Sequence, residues 1–520
     1  MSAKINTLAL AVATLSVTSI SHSAGLDRST QPSWAFTQDG TFAYIEHITI
    51  DPTIAGHDAK APASATSYQT GKPVSDMAED YHFLNFGAKA DVNDRVSLGA
   101  YFDQPWGADV QFTGDNNFVG APTNVINGLY AQTTKALNDA GLPVTINNAT
   151  DLQNTISDIN NQITAGKTQL ATAQNTLDQL LKVSNPTTQQ QAQITGLQTA
   201  ITTGTANLQK GQTTLTRLGA TQATTNSLAK IQGGTNVTVS SQNFTGLVGV
   251  KLGEKKNIQV YGGPAIQKLE GDIHLRGNAY AAASGYDETI PSSTGYGWVA
   301  GVAYSKPEIA LKASLTYRSE IDHDTNMVEY YPMAPLASGG SLSSRQINNV
   351  TVTTPESINL DFQTGLNHTT LLTAKVRYVP WSEFKVTPKL YNAVSKTAKD
   401  PATGQQLYPN GLDLLSYSDD AWSAEVGIGK KLSPKWGVSG SVGWDSGAGN
   451  PVTSLGPVEG NWNVGLGAKY NITPEWSVSA GAKYLMFGDA KAKLPTGTLV
   501  GDFADNDGFV YGLRLSYQKK

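Results

Sequence analysis

The sequence predicts an all-β fold, a transmembrane antiparallel β-barrel of about 14 strands, on three observations. First, apolar or aromatic residues alternate with Gly, Ser, Asn or Lys in three runs, at residues 436–444, 462–470 and 476–484. Second, each run begins and ends with an aromatic residue, as strands that cross two aromatic girdles do. Third, short polar turns at 432–435 and 471–475 alternate with a longer Gly/Pro/Ser loop at 445–461.

Dimensions and composition agree with a membrane barrel. Eight residue steps of ~3.3 Å, tilted by about 40°, rise ~20 Å, which is close to the apolar band of an outer membrane. Only 15% of the residues are charged, whereas Gly occurs 51 times and Tyr 21 times. A soluble β-sandwich also alternates, but its strands rarely carry aromatics at both ends of the outward face.

The N-terminus predicts export. Residues 1–23 resemble a secretory signal peptide, with Lys4, an apolar stretch at 8–20, and Ser21 and Ser23 before the cleavage site. The absence of cysteine excludes disulfide bonds and thiolate chemistry. A net charge of −5 gives no indication of a nucleic-acid partner. Together with the alternating strands, these features predict the outer membrane of a Gram-negative cell.

The chain then divides into four parts. Residues 24–40 lack a clean period and are predicted to lie in the lumen as a plug segment, with a disordered tail as the alternative. Residues 41–112 carry strands 1–3, residues 113–235 form an extracellular insertion, and residues 236–520 carry strands 4–14. These strands are predicted at 41–51, 81–92, 96–103, 236–252, 257–275, 295–304, 309–321, 357–366, 369–379, 420–432, 436–444, 462–470, 476–484 and 507–517. Residues 322–356 are predicted to form a loop.

The insertion predicts an antiparallel coiled-coil hairpin. Apolar residues follow heptad spacing at 152–180 and again at 194–218, and Ser184-Asn185-Pro186 separates the two runs as a turn. Folding at this turn places Gly166 opposite Gly204, and arms of about 30 residues reach ~45–50 Å. A disordered low-complexity linker is the alternative.

Candidate site residues lie in the strands and at one bend. Pro105 interrupts the third strand within Asp103-Gln104-Pro105-Trp106-Gly107, which predicts an edge, bend or bulge. Because charges are costly on the lipid face, Arg318, Lys375 and Arg377 are predicted to face the lumen. They could hold an anionic head group such as a carboxylate, or they could simply form ion pairs inside the barrel.

The sequence offers little for catalysis or metal binding. Asp322-His323-Asp324 has no second cluster at ligand spacing, so no metal site is predicted. No catalytic triad, phosphate loop or pair of catalytic carboxylates stands out, so the protein is not expected to be an enzyme, and no cofactor is expected.

Four stretches, at residues 24–46, 98–112, 353–385 and 431–488, resemble the outer-membrane transporters of long-chain fatty acids and aromatic hydrocarbons (FadL/TodX-like). The resemblance implies a 14-stranded barrel plugged by its N-terminal segment. It also implies passive import of long-chain fatty acids or other hydrophobic small molecules. Lateral release into the lipids of the outer membrane would occur at the kink formed by residues 103–107.

Two other functions are compatible with the sequence. A general porin for small polar solutes would need an open lumen without a plug. An adhesion or structural barrel would use the coiled coil as a stalk. The sequence does not determine the oligomeric state, although a monomer is favoured.

Overall fold

A computed structural model describes residues 26–28, 32–60 and 68–519 of this chain. The predicted signal peptide and parts of the predicted plug segment lie outside the described residues. The strands are β1 (Thr41–Thr53), β2 (Gly56–Ala59), β3 (Thr70–Val74), β4 (Tyr81–Asp91), β5 (Val96–Asp103), β6 (Gly107–Gln111), β7 (Asn236–Leu252), β8 (Ile258–His274), β9 (Asp287–Lys306), β10 (Leu311–Arg318), β11 (Ile321–Tyr330), β12 (Arg345–Thr354), β13 (Ser357–Asn367), β14 (Thr370–Val379), β15 (Lys385–Val386), β16 (Leu415–Ser416), β17 (Ala421–Lys431), β18 (Trp436–Asp445), β19 (Val452–Thr453), β20 (Glu459–Asn471), β21 (Trp476–Gly488), β22 (Ala490–Lys493), β23 (Leu499–Phe503) and β24 (Asp507–Lys519).

The helices are short in the barrel and long in the insertion. They are α1 (Ser33–Phe36), α2 (Thr123–Asp139), α3 (Ala149–Leu180), α4 (Thr188–Ala229), α5 (Ala334–Ala337) and α6 (Lys389–Ser395), with 3₁₀ turns at Ala281–Ala283, Pro307–Ile309 and Trp381–Glu383. No helix in the described ranges is both long and apolar enough to cross a membrane.

The main sheet closes into a barrel because β1 pairs with both β4 and β24. Its 17 strand segments make up 14 barrel strands in the described part of the chain, since β5/β6, β10/β11 and β12/β13 are each one strand interrupted once. The predicted 14-stranded antiparallel barrel is therefore confirmed. The short turns lie at the end where β1 meets the C-terminus, which is the periplasmic end.

Two levels of aromatic residues face outward. Trp436 contacts Tyr470 at the periplasmic end, with ring centroids 4.9 Å apart. At the outer end Trp298 contacts Tyr317 at 5.0 Å, and Tyr378 lies close to a further tryptophan. Between the two levels the exposed side chains are apolar, as at Leu466. This band is the surface that meets lipid.

The prediction of a loop at 322–356 is wrong in part. Strands β11 and β12 continue the wall outward beyond the aromatic level and pair with each other from Ile321 and Thr354 to Tyr330 and Arg345. Their outward side chains are polar, and Asp324 and Asp322 accept hydrogen bonds from threonines of β12. Such polar alternation beyond the membrane is hard to distinguish from a loop by sequence.

The insertion forms a helical hairpin. Asn148 caps α3, and Thr187 with Gln190 forms a capping box that starts α4. Gly166 lies against Leu208, and Gly204 lies against Leu170. The two glycines therefore do not face each other, because each accommodates a leucine of the other helix.

Outer segments cover the mouth of the barrel. Strands β19, β22, β23, β2 and β3 form a separate five-stranded sheet. Residues 380–420, between β14 and β17, fold inward, and Trp381 and Leu390 are fully buried. Two apolar spaces border this cover, one in the lumen beneath it and one on its extracellular side.

Candidate functional site

The inner space is an enclosed cavity of about 50 Å³ in the lumen. Its walls are almost entirely apolar and come from distant parts of the chain. Leu26 belongs to the N-terminal segment, Trp106 lies at the predicted bend, Val239 and Val352 lie on strands, and Trp381 belongs to the covering loop. These walls suit an apolar solute, but the volume is well below the roughly 300–1,000 Å³ of a ligand pocket, so a whole solute molecule enters only when the walls move apart.

Arg377 lies on the periplasmic side of this cavity, four residues before Trp381 in the chain. Its Nε donates to Asp27 Oδ2 at 2.7 Å, and its Nη1 donates to Asn359 Oδ1 at 2.8 Å. The guanidinium also lies 5.7 Å from the Trp106 ring centroid. Arg377 Nη2 has no hydrogen-bond partner among the described residues. One buried cation thus touches the N-terminal segment, the wall and the bend.

Arg318 occupies a second buried position in the lumen. Its Nη1 lies 3.7 Å from Asp103 Oδ2, and its Nη2 lies 3.5 Å from Thr245 Oγ1. Asp103 also accepts a hydrogen bond from Asn243 at 2.7 Å. Nε and Nη1 of Arg318 lack a hydrogen-bond acceptor within the described ranges. The guanidinium therefore keeps free donors although its charge is balanced.

Lys375, the third predicted cation, belongs to a different cluster. It is half-buried and lies in register with Asp361 on β13 and Glu425 on β17. Lys483 forms an ion pair with that same Glu425. All three predicted cations face the lumen. Both arginines form ion pairs there, Arg318 with Asp103 and Arg377 with Asp27.

The wall is interrupted at the predicted bend. The ladder between β4 and β5 ends at Phe86 and Phe102, although β4 continues outward to Tyr81. The wall strand resumes at Gly107 as β6. Residues 103–106 therefore leave an interval without backbone pairing to β4 in the described structure.

The N-terminal segment lies across the inner side of this interval. Arg28 N donates to Pro105 O at 2.8 Å, and Gly107 N donates to Leu26 O at 2.8 Å. The Arg28 guanidinium stacks 3.8 Å from the Tyr81 ring centroid and lies directly against Gly107. Sequence reasoning missed Asp27 and Arg28, because nothing in the local pattern indicates contacts with residues so far along the chain.

Farther toward the periplasm, α1 fills the lumen. Phe36 is fully buried and contacts Tyr261, with ring centroids 5.2 Å apart. A β-carbon on Gly249 would lie 2.5 Å from the Phe36 ring, and one on Gly99 would lie 2.8 Å from it. The two glycines thus form a socket for the phenyl ring. Inward-facing glycines at strand positions were the signal that could have revealed it.

The outer space is an open groove of about 780 Å³ on the extracellular side. Val125, Tyr280, Tyr331, Val394 and Val500 are among its apolar and aromatic walls. Burial raises the pKa of Tyr280 to about 12, so the phenol stays neutral. The groove is therefore uncharged along this part of its wall.

A buried acidic pair lies next to this groove, above the outer aromatic level. Burial, and then the neighbouring Glu329 carboxylate, raise the pKa of Glu288 to about 8. Tyr286 donates its hydroxyl to both glutamates, at 3.2 and 3.1 Å. The described residues contain no group of three His, Asp or Glu side chains placed to hold a metal ion.

Comparison with known proteins gives a family match. The model of the family described as outer membrane protein transport protein (OMPP1/FadL/TodX) matches residues 169–518. A FadL homologue of Pseudomonas aeruginosa is 14% identical over 98% of each chain, with a TM-score of 0.57. The toluene transporter TodX of Pseudomonas putida is 7% identical over 96% of each chain, with a TM-score of 0.48. No curated protein sequence matches.

Proposed function

Because this chain belongs to the OMPP1/FadL/TodX family of outer membrane transport channels, we propose that it imports long-chain fatty acids or similar amphipathic hydrophobic compounds. It is an outer-membrane transporter of hydrophobic compounds and not an enzyme. We base this proposal on the small apolar cavity in the lumen, next to which Arg377 lies against the lining residue Trp106, and on the interrupted wall.

The proposed route starts in the outer groove, passes through the inner cavity and leaves sideways at residues 103–107. An apolar chain that stays in these spaces avoids water, where each CH₂ costs about 0.8 kcal/mol. The interval between β4 and β6 opens toward the bilayer, and its inner side is covered by Leu26, Asp27 and Arg28 of the N-terminal segment. Movement of this segment would give the cavity an exit into lipid.

A carboxylate head group distinguishes a fatty acid from an aromatic hydrocarbon. Arg318 and Arg377 keep free guanidinium donors in the lumen, and Arg377 lies against Trp106 of the cavity wall, so these donors could receive the carboxylate. Lys375 supplies a further luminal cation closer to the periplasm. An aromatic hydrocarbon, the alternative substrate, would use the cavity without these donors.

Uptake of oleate and toluene by the same variant tests this assignment. The double variant Arg318→Gln/Asp103→Asn removes the cation without leaving a buried charge unpaired. Since a hydrogen bond to a charged group contributes about 1.5–3 kcal/mol, we expect oleate uptake to fall at least about tenfold while toluene uptake is unchanged.

The matched control is Glu425→Leu/Lys483→Met, which neutralises another buried ion pair in the lumen. It should leave uptake of both oleate and toluene unchanged. Equal oleate uptake by the Arg318→Gln/Asp103→Asn variant and the unaltered protein would exclude Arg318 as the head-group site. Loss of toluene uptake as well would mean that the substitution had damaged the channel itself.

Lateral release is tested by closing the interval. The chain has no native cysteine, so Leu84→Cys and Gln104→Cys place two unique thiols on its opposite edges. Joining them with a bifunctional reagent should stop transfer of oleate into the bilayer. The same reagent on Ala88→Cys/Ala100→Cys, which are already paired in the β4–β5 ladder, should have no effect. Unimpaired transfer with the interval cross-linked would rule out this exit.

A further inference from the structure

The outer groove and the inner cavity share one wall, the covering loop at residues 380–420. Trp381, Phe384 and Val386 line the inner cavity, whereas Tyr391 and Val394 line the outer groove. The loop therefore separates the two apolar spaces. A solute that passes from one to the other has to displace it.

This loop has a small folded core of its own. Strands β15 and β16 pair within it, and Thr387 donates to Asp413 at 2.6 Å. Trp381 contacts Phe384 at 5.4 Å and Tyr417 at 5.2 Å between ring centroids. These contacts hold the loop together as one compact unit.

A buried side chain of the barrel wall holds the middle of the loop. Glu329, on β11, is fully buried, and its Oε2 accepts the backbone N–H of Leu390 at 2.9 Å. Its Oε1 accepts the N–H of Tyr391 at 2.9 Å and the hydroxyl of Tyr286 at 3.1 Å. Asn348 donates to Oε2 at 3.2 Å. All four acceptor sites of the carboxylate are therefore occupied, two of them by the loop.

We infer that residues 380–420 are a lid between the outer groove and the inner cavity, and that Glu329 is the latch that keeps it closed. The inference rests on the proposed function and adds a gate to its route. Buried charged acceptors hold their donors more firmly than neutral ones, since the hydrogen bonds are charge-assisted. An amide at this position would present one acceptor oxygen and two unwanted donors, so Glu329→Gln should weaken the latch.

Opening of the lid is measured without relying on transport. Val386 is 4% exposed and faces the inner cavity from the underside of the lid. In the full-length protein, Val386→Cys provides the single thiol, and the rate at which a maleimide labels it reports exposure. We expect Glu329→Gln to raise this rate at least tenfold. Asp324→Asn, an exposed substitution on the same strand, should leave it unchanged.

A second variant keeps the test independent of folding defects. Tyr286→Phe removes one donor from Glu329 and preserves the ring, and we expect labelling several-fold faster than in the unaltered background. Folding is checked by the faster gel migration of the unheated barrel. Equal labelling rates in the Glu329→Gln, Tyr286→Phe and Asp324→Asn backgrounds would overturn the latch.

Oleate uptake by the same variants separates the two proposals. Faster labelling with no oleate uptake by any form, including the unaltered protein, would support the lid and reject the proposed substrate. Normal oleate uptake with no change in labelling would support the substrate and reject the latch.

Discussion

Removing the ring of Phe36 should open the lumen. The phenyl group is fully buried in the socket formed by Gly99 and Gly249 and contacts Tyr261. It is the largest fully buried side chain of α1. In Phe36→Ala the socket would be empty, and the segment would lose its main apolar contact with the wall.

The size of the effect follows from burial. Truncating a buried Phe to Ala costs about 3–5 kcal/mol. Since 1.4 kcal/mol is a factor of ten, the population with a displaced segment should rise by about a hundredfold to several thousandfold. Hydrogen bonds from Lys89 to Gln38 O and Gly40 O and from Lys312 to Thr37 O remain, so the segment should stay attached at its C-terminal end.

Conductance in planar bilayers and swelling of liposomes in small sugars measure the opening. Gly249→Ala should act in the same way from the other side of the contact, because its β-carbon would lie 2.5 Å from the ring. Gly246→Ala, on the same strand, meets no atom within 4 Å and should behave like the unaltered protein. A sealed lumen in both Phe36→Ala and Gly249→Ala would refute the view that α1 closes the barrel.

Three further predictions concern the wall, the lumen and the outer cover. Gly107→Ala should expel the Arg28 guanidinium and speed oleate release into lipid by up to about 30-fold, as expected from losing a desolvated cation–π contact of about 2 kcal/mol; unchanged release would contradict the role of Arg28. Glu425→Gln leaves buried Lys483 without its carboxylate, so the free energy of unfolding should fall by about 3–5 kcal/mol, and Glu425→Leu/Lys483→Met should recover it. Burial raises the pKa of Glu288 to about 8 in the folded protein. The free energy of unfolding of the extracellular part should therefore be highest below the ordinary pKa of a glutamate and fall by up to roughly 1.4 kcal/mol per pH unit as pH rises toward 8. Glu288→Gln should abolish this slope in pH-dependent melting.

Much of the barrel was predictable because its strands obey a local rule. Outward positions meet lipid, so every second residue between the aromatic levels is apolar, and the three runs at 436–484 carry that pattern without reference to the rest of the chain. The rule fails where strands leave the membrane. There the outward residues of β11 and β12 meet water, and their alternation reads as a polar loop.

The helical insertion shows the same boundary between local and non-local information. Heptad spacing and the turn at Ser184-Asn185-Pro186 predicted two helices, and α3 and α4 lie there. Which residues face each other depends on how the two helices rotate. Leucines occupy the space beside Gly166 and Gly204, so the predicted glycine pairing is wrong.

The sequence by itself determined the class of fold, the lumen-facing side of Arg318, Lys375 and Arg377, and the interruption at Pro105, because each depends on alternation or on one residue's backbone chemistry. Only the tertiary structure decided that Arg377 pairs with Asp27 and that Glu329 holds the covering loop. These partners lie far apart in the chain, and closure of the barrel is what brings them into contact. The physical reason is that a buried charge selects its partner by proximity in the folded lumen, which no local pattern of residues records.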